Sequence, residues 1–301
     1  MKRVLLFVAT NLLITLAISV VLSLLGFGNY RIAGGSLDYT ALMVFCLLWG
    51  MIGSFISLQL SRFMAKRAMG VQLVDGRSGH EEADWLYRTV ERLTTQAQLP
   101  MPEVGIYQSP EVNAFATGPS KSRSLVAVSA GLLRGMRRDE VEGVLAHEVA
   151  HIKNGDMVTM TLIQGVVNAF VMFAAMVVAN LVRNMLQGNR DERDGGGGGG
   201  YMIEFMVRMV LQVAFGILGG MVVAWFSRAR EFRADAGAAA LSGRANMIAA
   251  LRRLQATHEL VDPAHAEMAT MKISSGGKKW MVLLSTHPPL EARIAALENL
   301  R

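Results

Sequence analysis

Two histidines four residues apart, with a glutamate directly after the first, are the side chains in this sequence best arranged for chemistry: His147-Glu148-Val149-Ala150-His151. On an α-helix His147 and His151 lie one turn apart on one face, so both imidazoles can reach a single Zn²⁺. Glu148 can then face the open coordination position. There it can take a proton from a metal-activated water and pass it to a leaving amine. The metal lowers the pKa of that water to about 7 and polarises a scissile carbonyl. The bland alternative is an exposed helix with two surface histidines. Apolar residues flank the motif on both sides, which argues against a solvated face.

The element that must carry the motif reads as a helix over Arg138 to Ile152. Val141, Val144, Leu145, Val149 and Ile152 recur at helical spacing. Asp139 and Glu142 resemble a capping box at its start, and Gly155 is a plausible stop. Two histidines are not enough, because a catalytic zinc usually takes three protein ligands. The single cysteine, Cys46, lies in an apolar run, so no disulfide forms within the chain and no zinc site is thiolate-rich. The remaining ligand is a histidine or a carboxylate. Glu231 is the best candidate, in Glu231-Phe232-Arg233-Ala234-Asp235 on an expected helix. Asp235, one turn on, can accept the free ring N–H of a ligand histidine. The alternative is that both acids only pair with the surrounding arginines; a zinc helix without a third ligand favours ligation. His287, in Ser285-Thr286-His287-Pro288-Pro289, is a ligand, an oxyanion stabiliser or a structural loop histidine, and two prolines stiffen the backbone after it. His80, His258 and His265 lie in polar or loop-like contexts and read as surface residues.

Composition says where this chemistry operates. The chain has 301 residues, of which 52% are hydrophobic, and its mean hydropathy is +0.33. That is too apolar for an ordinary soluble protein. The net charge of +6 fits Lys and Arg at the cytosolic ends of membrane helices. No basic-aromatic interleaving of the kind that binds single strands is present, so nucleic acid is not an expected partner.

Four apolar runs are candidate spans: Val4 to Leu25, Leu37 to Leu60, Met157 to Leu186 and Met206 to Phe226. The first exceeds a signal-peptide core and lacks a clean cleavage site, so it is expected to be retained. Lys2, Arg3, Arg62, Lys66, Arg67 and the cluster around Arg228 to Arg233 put both termini and the zinc helix in the cytosol. Thr159, Thr161, Gln164 and Asn168 in the third run could face other helices or a water-filled cleft. The fold class expected is therefore an α+β membrane protein with about four transmembrane helices and a mainly helical, zincin-like cytosolic domain carrying a small β-sheet. Its parts are two spans in 1–62, the sheet and zinc helix in 63–156, two further spans in 157–226 with a glycine-rich linker at 187–200, and a helical remainder in 227–301. Strands are expected at Val71–Val74, Glu103–Tyr107, Val112–Ala116 and Ser124–Ser129, with a turn through Gly118 to Lys121. Helices are expected over Glu81 to Leu99, Ala245 to His258 and Pro289 to Leu300. An extended polypeptide can add to a free edge of such a sheet as one more strand.

Across nearly its whole length the sequence resembles the HtpX family of bacterial membrane-bound zinc metalloproteases, related more distantly to CAAX prenyl proteases. The most specific matches are Leu145 to His151 running into Gly155-Asp156-Met157, then Arg230 to Asp235, then Ser285 to Pro289. The resemblance implies that His147, His151 and Glu231 bind one zinc per chain, that Glu148 is catalytic and that Asp235 supports a ligand. It implies that Asn113, Ala114, Phe115 and Ala116 form a substrate-binding strand and that His287 lies near the active site. It further implies cytosolic-side proteolysis of damaged, misfolded or unfolded membrane proteins, in contact with lipid of the inner membrane, as part of a stress response. The Gly195–Gly200 stretch departs most from the family pattern and bears only on that loop. Two rivals stand beside this reading: a prenyl-protein endopeptidase, for which four spans are too few to build a larger chamber, and a membrane scaffold with a structural zinc, against which Glu148 argues.

Overall fold

The computed structural model describes residue 20 and residues 37–187, 198–261 and 283–300. The first apolar run, His265 and the loop at 275–279 lie outside them, apart from Val20. Three helices among the described residues are long and apolar enough to cross a membrane. α1 (Tyr39–Met69) carries the second run and continues through Arg62, Lys66 and Arg67. α5 (Asp156–Gln187) carries the third. α6 (Gly198–Ser242) carries the fourth without interruption into Glu231 and Asp235. The expected linker is shorter than its glycines implied, because Gly198–Gly200 form the first turn of α6. A long apolar helix outweighs the cost of about 1 kcal/mol per glycine.

The chain divides into two compact units, the described parts of 1–56 with 161–223 and of 57–160 with 224–301. In the first, Gly50 and Gly165 let α1 and α5 approach closely. A Cβ at Gly50 would meet the Gly165 carbonyl at 2.5 Å. A buried Arg183–Glu204 pair at 2.8 Å joins α5 to α6.

The second unit holds the sheet. β1 (Gln72–Val74), β2 (Glu103–Tyr107), β3 (Ala114–Ser120) and β4 (Arg123–Ser129) lie in the order β1-β2-β4-β3. β2 and β4 are parallel; β1 and β3 pair antiparallel at the two edges. β3 begins later and ends later than expected. Gly118 and Pro119 are inside it, at a register irregularity, and the turn falls at Lys121–Ser122. An edge strand tolerates a proline and a bulge where a central strand would not. Gly118 has φ +143, and a Cβ there would meet the Arg123 carbonyl at 2.2 Å.

Val104, Val126 and Val128 point to one face, which forms the main core with α2 (Glu81–Gln96), α4 (Arg138–Asn154) and α7 (Arg244–Val261). Tyr107, Leu125 and Ala127 point to the other face, against Ala65, Met69 and Val71. Between β4 and α4 lies α3 (Ala130–Gly135), too short for a periodic pattern and capped by Ser129, whose side chain accepts from the Leu132 N–H. α8 (Leu290–Glu298) closes the core with Ile294 and Leu297.

Candidate active site

α4 ends as expected, with Gly155 left-handed at φ 70. It begins at Arg138, as expected, but its capping box lies two residues earlier than expected, at Arg137 and Glu140. The Glu140 carboxylate accepts the Arg137 N–H at 2.8 Å, while Asp139 pairs with Arg137 and Glu142 with Arg92. Gly143 lets α7 approach, since a Cβ there would meet the Asn246 carbonyl at 2.6 Å. Gly237 of α6 packs on Ala150 in the same way, at 2.9 Å. These contacts bring Glu231 and Asp235 alongside the two histidines.

The Nε2 atoms of His147 and His151 are 3.1 Å apart. Glu231 closes the group, with Oε2 3.4 Å from His147 Nε2 and Oε1 3.4 Å from His151 Nε2. All three residues are buried, and their ligand atoms lie within 4.8 Å of one another. Among the described residues this is the one group of its kind. Glu231 Oε1 is buried without a hydrogen-bond partner. A buried carboxylate oxygen left bare beside two converging imidazole nitrogens is what a divalent cation would satisfy, so the residues fit a metal.

Each imidazole is oriented from behind. His147 Nδ1 donates to Asp235 Oδ1 at 2.9 Å, and His151 Nδ1 donates to Asp156 Oδ2 at 2.7 Å. These bonds place the ring protons on Nδ1 and leave both Nε2 atoms free to ligate. Asp235 is gripped by Arg293, whose Nε and Nη2 donate to its two oxygens at 2.7 and 2.6 Å. Burial opposes charge on His147, but the bond to Asp235 and the Glu231 carboxylate 3.4 Å away outweigh it and raise its pKa. Burial likewise opposes charge on His151, and the bond to Asp156 with the Glu231 carboxylate 3.4 Å away carries its pKa up to about 9. Arg293 is held charged against burial by Asp235.

Glu148 is half-buried on α4 between the two histidines. His287 Nδ1 lies 3.0 Å from Glu231 Oε2, while its side chain remains 61% exposed. Of the expected substrate segment, Ala114, Phe115 and Ala116 lie in β3. Asn113 precedes it, with its carbonyl accepting the Ser129 N–H and its own N–H bonded to Ser129 Oγ. Since Asn113 and Phe115 face β4, the backbone groups of Ala114 and Ala116 point to the free edge. His80 is exposed, as expected.

Two residues of the site were not assigned from the sequence. Asp156 stands in the quoted Gly155-Asp156-Met157, without a role. Arg293 occupies a position of α8 one turn from Leu290 and Leu297, in the apolar stripe; a cation at a core-facing position is the signal that pointed to a buried partner.

A model of peptidase family M48 matches residues 80–301. The chain belongs to peptidase family M48. Relatives named Protease HtpX agree with it over nearly their full length. That of Shewanella denitrificans is 53% identical over 300 residues, covering 99% of this chain and 100% of the relative. That of Shewanella sp. strain MR-4 is 52% identical over 300 residues, covering 99% and 100%. The crystal structure of S. mikatae Ste24p shares the fold, with a TM-score of 0.61 at 19% identity, over 99% of this chain and 66% of that one. This M48 protein is thus an integral-membrane metalloprotease, a hydrolase of peptide bonds, and the scaffold reading falls away.

Proposed function

We propose that the metal is zinc, held by His147, His151 and Glu231, and that the enzyme is an endopeptidase acting on damaged or unfolded membrane proteins at the cytosolic face of the bacterial inner membrane, as a stress-response protease. The observation that carries the reading is the convergence of two imidazole Nε2 atoms and one buried carboxylate beside Glu148. A ligand set of two histidines and a glutamate, without thiolate, suits zinc at a hydrolytic site, where the ion polarises the substrate carbonyl and acidifies water.

The chain's own residues do the rest. Ala114 and Ala116 pair with extended substrate as an added strand, so recognition is mainly of backbone and selects for unfolded polypeptide. Glu148 takes the proton of the attacking water and returns it to the leaving nitrogen. Asp235 and Asp156 fix the imidazoles in their ligating tautomer. His287, itself exposed and 3.0 Å from Glu231 Oε2, supports negative charge developing on the substrate oxygen.

The test compares wild type with Glu148→Ala and Glu231→Ala in detergent, measuring bound zinc and cleavage of an unfolded protein. Glu148→Ala is expected to keep its zinc and lose roughly 10²–10⁴-fold in rate. Glu231→Ala is expected to lose zinc. Loss of zinc from Glu148→Ala, or full occupancy and activity in Glu231→Ala, would overturn the assignment.

A further inference from the structure

One end of the sheet meets the end of the α1 apolar run. Glu103 at the start of β2 pairs across to Leu125, and Leu125 to Thr117, so the β3–β4 turn lies at the same end as Glu103. Polar contacts with α1 are made there. Arg62 and Lys66 bind Glu103 at 3.2 and 2.9 Å, and Arg123 Nη2 donates to Gln59 Oε1 at 3.3 Å. Gln59 is the last polar residue before the run ends at Leu60. A membrane helix that ends here in Arg62, Lys66 and Arg67 has its headgroup level at these turns.

The turn is exposed, ordered and basic. Lys121, Ser122 and Arg123 are all exposed. Ser120 and Ser122 hydroxyls are 3.2 Å apart, and Ser124 Oγ donates to the Lys121 carbonyl. Phe63, 62% exposed, stands on α1 one turn beyond Gln59. Glu103 is already shared by two cations, and Asp75, one residue beyond the Val74–Val104 pair, accepts the Arg77 N–H. Arg67, Lys121 and Arg123 therefore leave a surplus of positive charge beside an exposed aromatic ring, the combination that seats at an anionic lipid surface.

We propose that the β3–β4 turn is an anionic phospholipid-binding site, in which Lys121 and Arg123 hold headgroups. The turn terminates β3, the strand whose free edge takes the substrate in the reading above. On that reading, lipid bound at the turn presents the edge to polypeptide leaving the bilayer, entering at Ser120 and running toward Ala114.

The experiment uses the full chain in nanodiscs, with a bimane label at Ser122→Cys; the one native cysteine, Cys46, is buried. Spin-labelled phosphatidylglycerol and spin-labelled phosphatidylcholine are compared as quenchers. Stronger quenching by the anionic lipid is expected. The preference should fall by roughly 5-fold for each cation removed in Lys121→Gln and Lys121→Gln/Arg123→Gln. Equal quenching by both lipids, or a preference that survives the double variant, overturns the proposal. So does abolition of the preference by glycerol phosphate at constant ionic strength, which would mean a free phosphate site. Cleavage by both variants in detergent, at the wild-type rate, shows that they fold. The quenching does not depend on catalysis, so a failed lipid site and a failed peptidase assignment are read separately.

Discussion

The two imidazoles of the site are served by carboxylates in very different settings. His147 leans on Asp235, which Arg293 holds through two short bonds inside the core. His151 leans on Asp156, whose nearest cation is Arg233 at 3.7 Å, with a side chain 66% exposed. The local chemistry is the same, a carboxylate on Nδ1, but the support behind it is not. Asp235 and Arg293 come from α6 and α8, far apart in sequence, so their bond also ties two elements to α4. Asp156 follows His151 by five residues, across the turn at Gly155, and is placed by local geometry alone. The orientation of one imidazole therefore rests on tertiary packing and that of the other on chain proximity.

The largest way to break this comparison is Asp235→Ala. It frees His147 to rotate and leaves the buried Arg293 with the longer contact of its Nη1 to Glu231 Oε2, at 3.5 Å. Breaking such a pair is expected to cost about 3–5 kcal/mol of stability, and losing the carboxylate on a ligand histidine about 10–100-fold in metal affinity. Thermal unfolding and a chelator competition in detergent measure the two. If stability is unchanged, the contact with Glu231 suffices for Arg293 and the His147 side is no more rigid than the His151 side.

Next comes Arg293→Lys, which keeps the charge but loses the planar two-bond grip on Asp235. Its loss of stability is expected to be smaller, about 1–3 kcal/mol, with zinc retained and affinity reduced. Asp156→Asn should be milder still. The amide oxygen still accepts from His151 Nδ1, no buried cation is stranded, and metal affinity falls by about 10-fold, the low end for such partners. An effect as large as that of Asp235→Ala would mean that Asp156 does more than orient a ring.

The same contrast governs what the sequence could disclose. His147, Glu148 and His151 sit on one helix whose period is written in its own residues, so their convergence was legible locally. Glu231 and Asp235, which lie beside the two imidazoles, were singled out because a two-histidine zinc site would need a third ligand, a chemical argument rather than a pattern. Arg293 was missed because its role exists only once α8 packs beside α6, although its position within an apolar stripe was a trace of it. β3 was misplaced because Gly118-Pro119 normally turns a chain, and only its position at the sheet edge lets the strand run on. The cap of α4, though not its start at Arg138, was misassigned because Asp139 and Glu142 have the spacing of a cap that Arg137 and Glu140 in fact make.

The smallest expected effect sharpens the comparison most. Arg233 is within ion-pair range of Asp156 only loosely, and most of its side chain is in solvent. A pair at this distance whose cation is in solvent contributes little, because water screens the charge and the long side chain loses freedom in forming it. Arg233→Ala should therefore change stability by less than about 0.5 kcal/mol and leave zinc affinity and cleavage of unfolded substrate at wild-type values. Arg293→Ala, measured beside it, removes the same side chain type from the equivalent place behind the other histidine. If the two variants behaved alike, burial would not be what distinguishes the two supports. If only Arg293→Ala fails, the site has one imidazole held by the core and one held by its neighbour in the chain, and the first is the one whose loss dismantles the metal site.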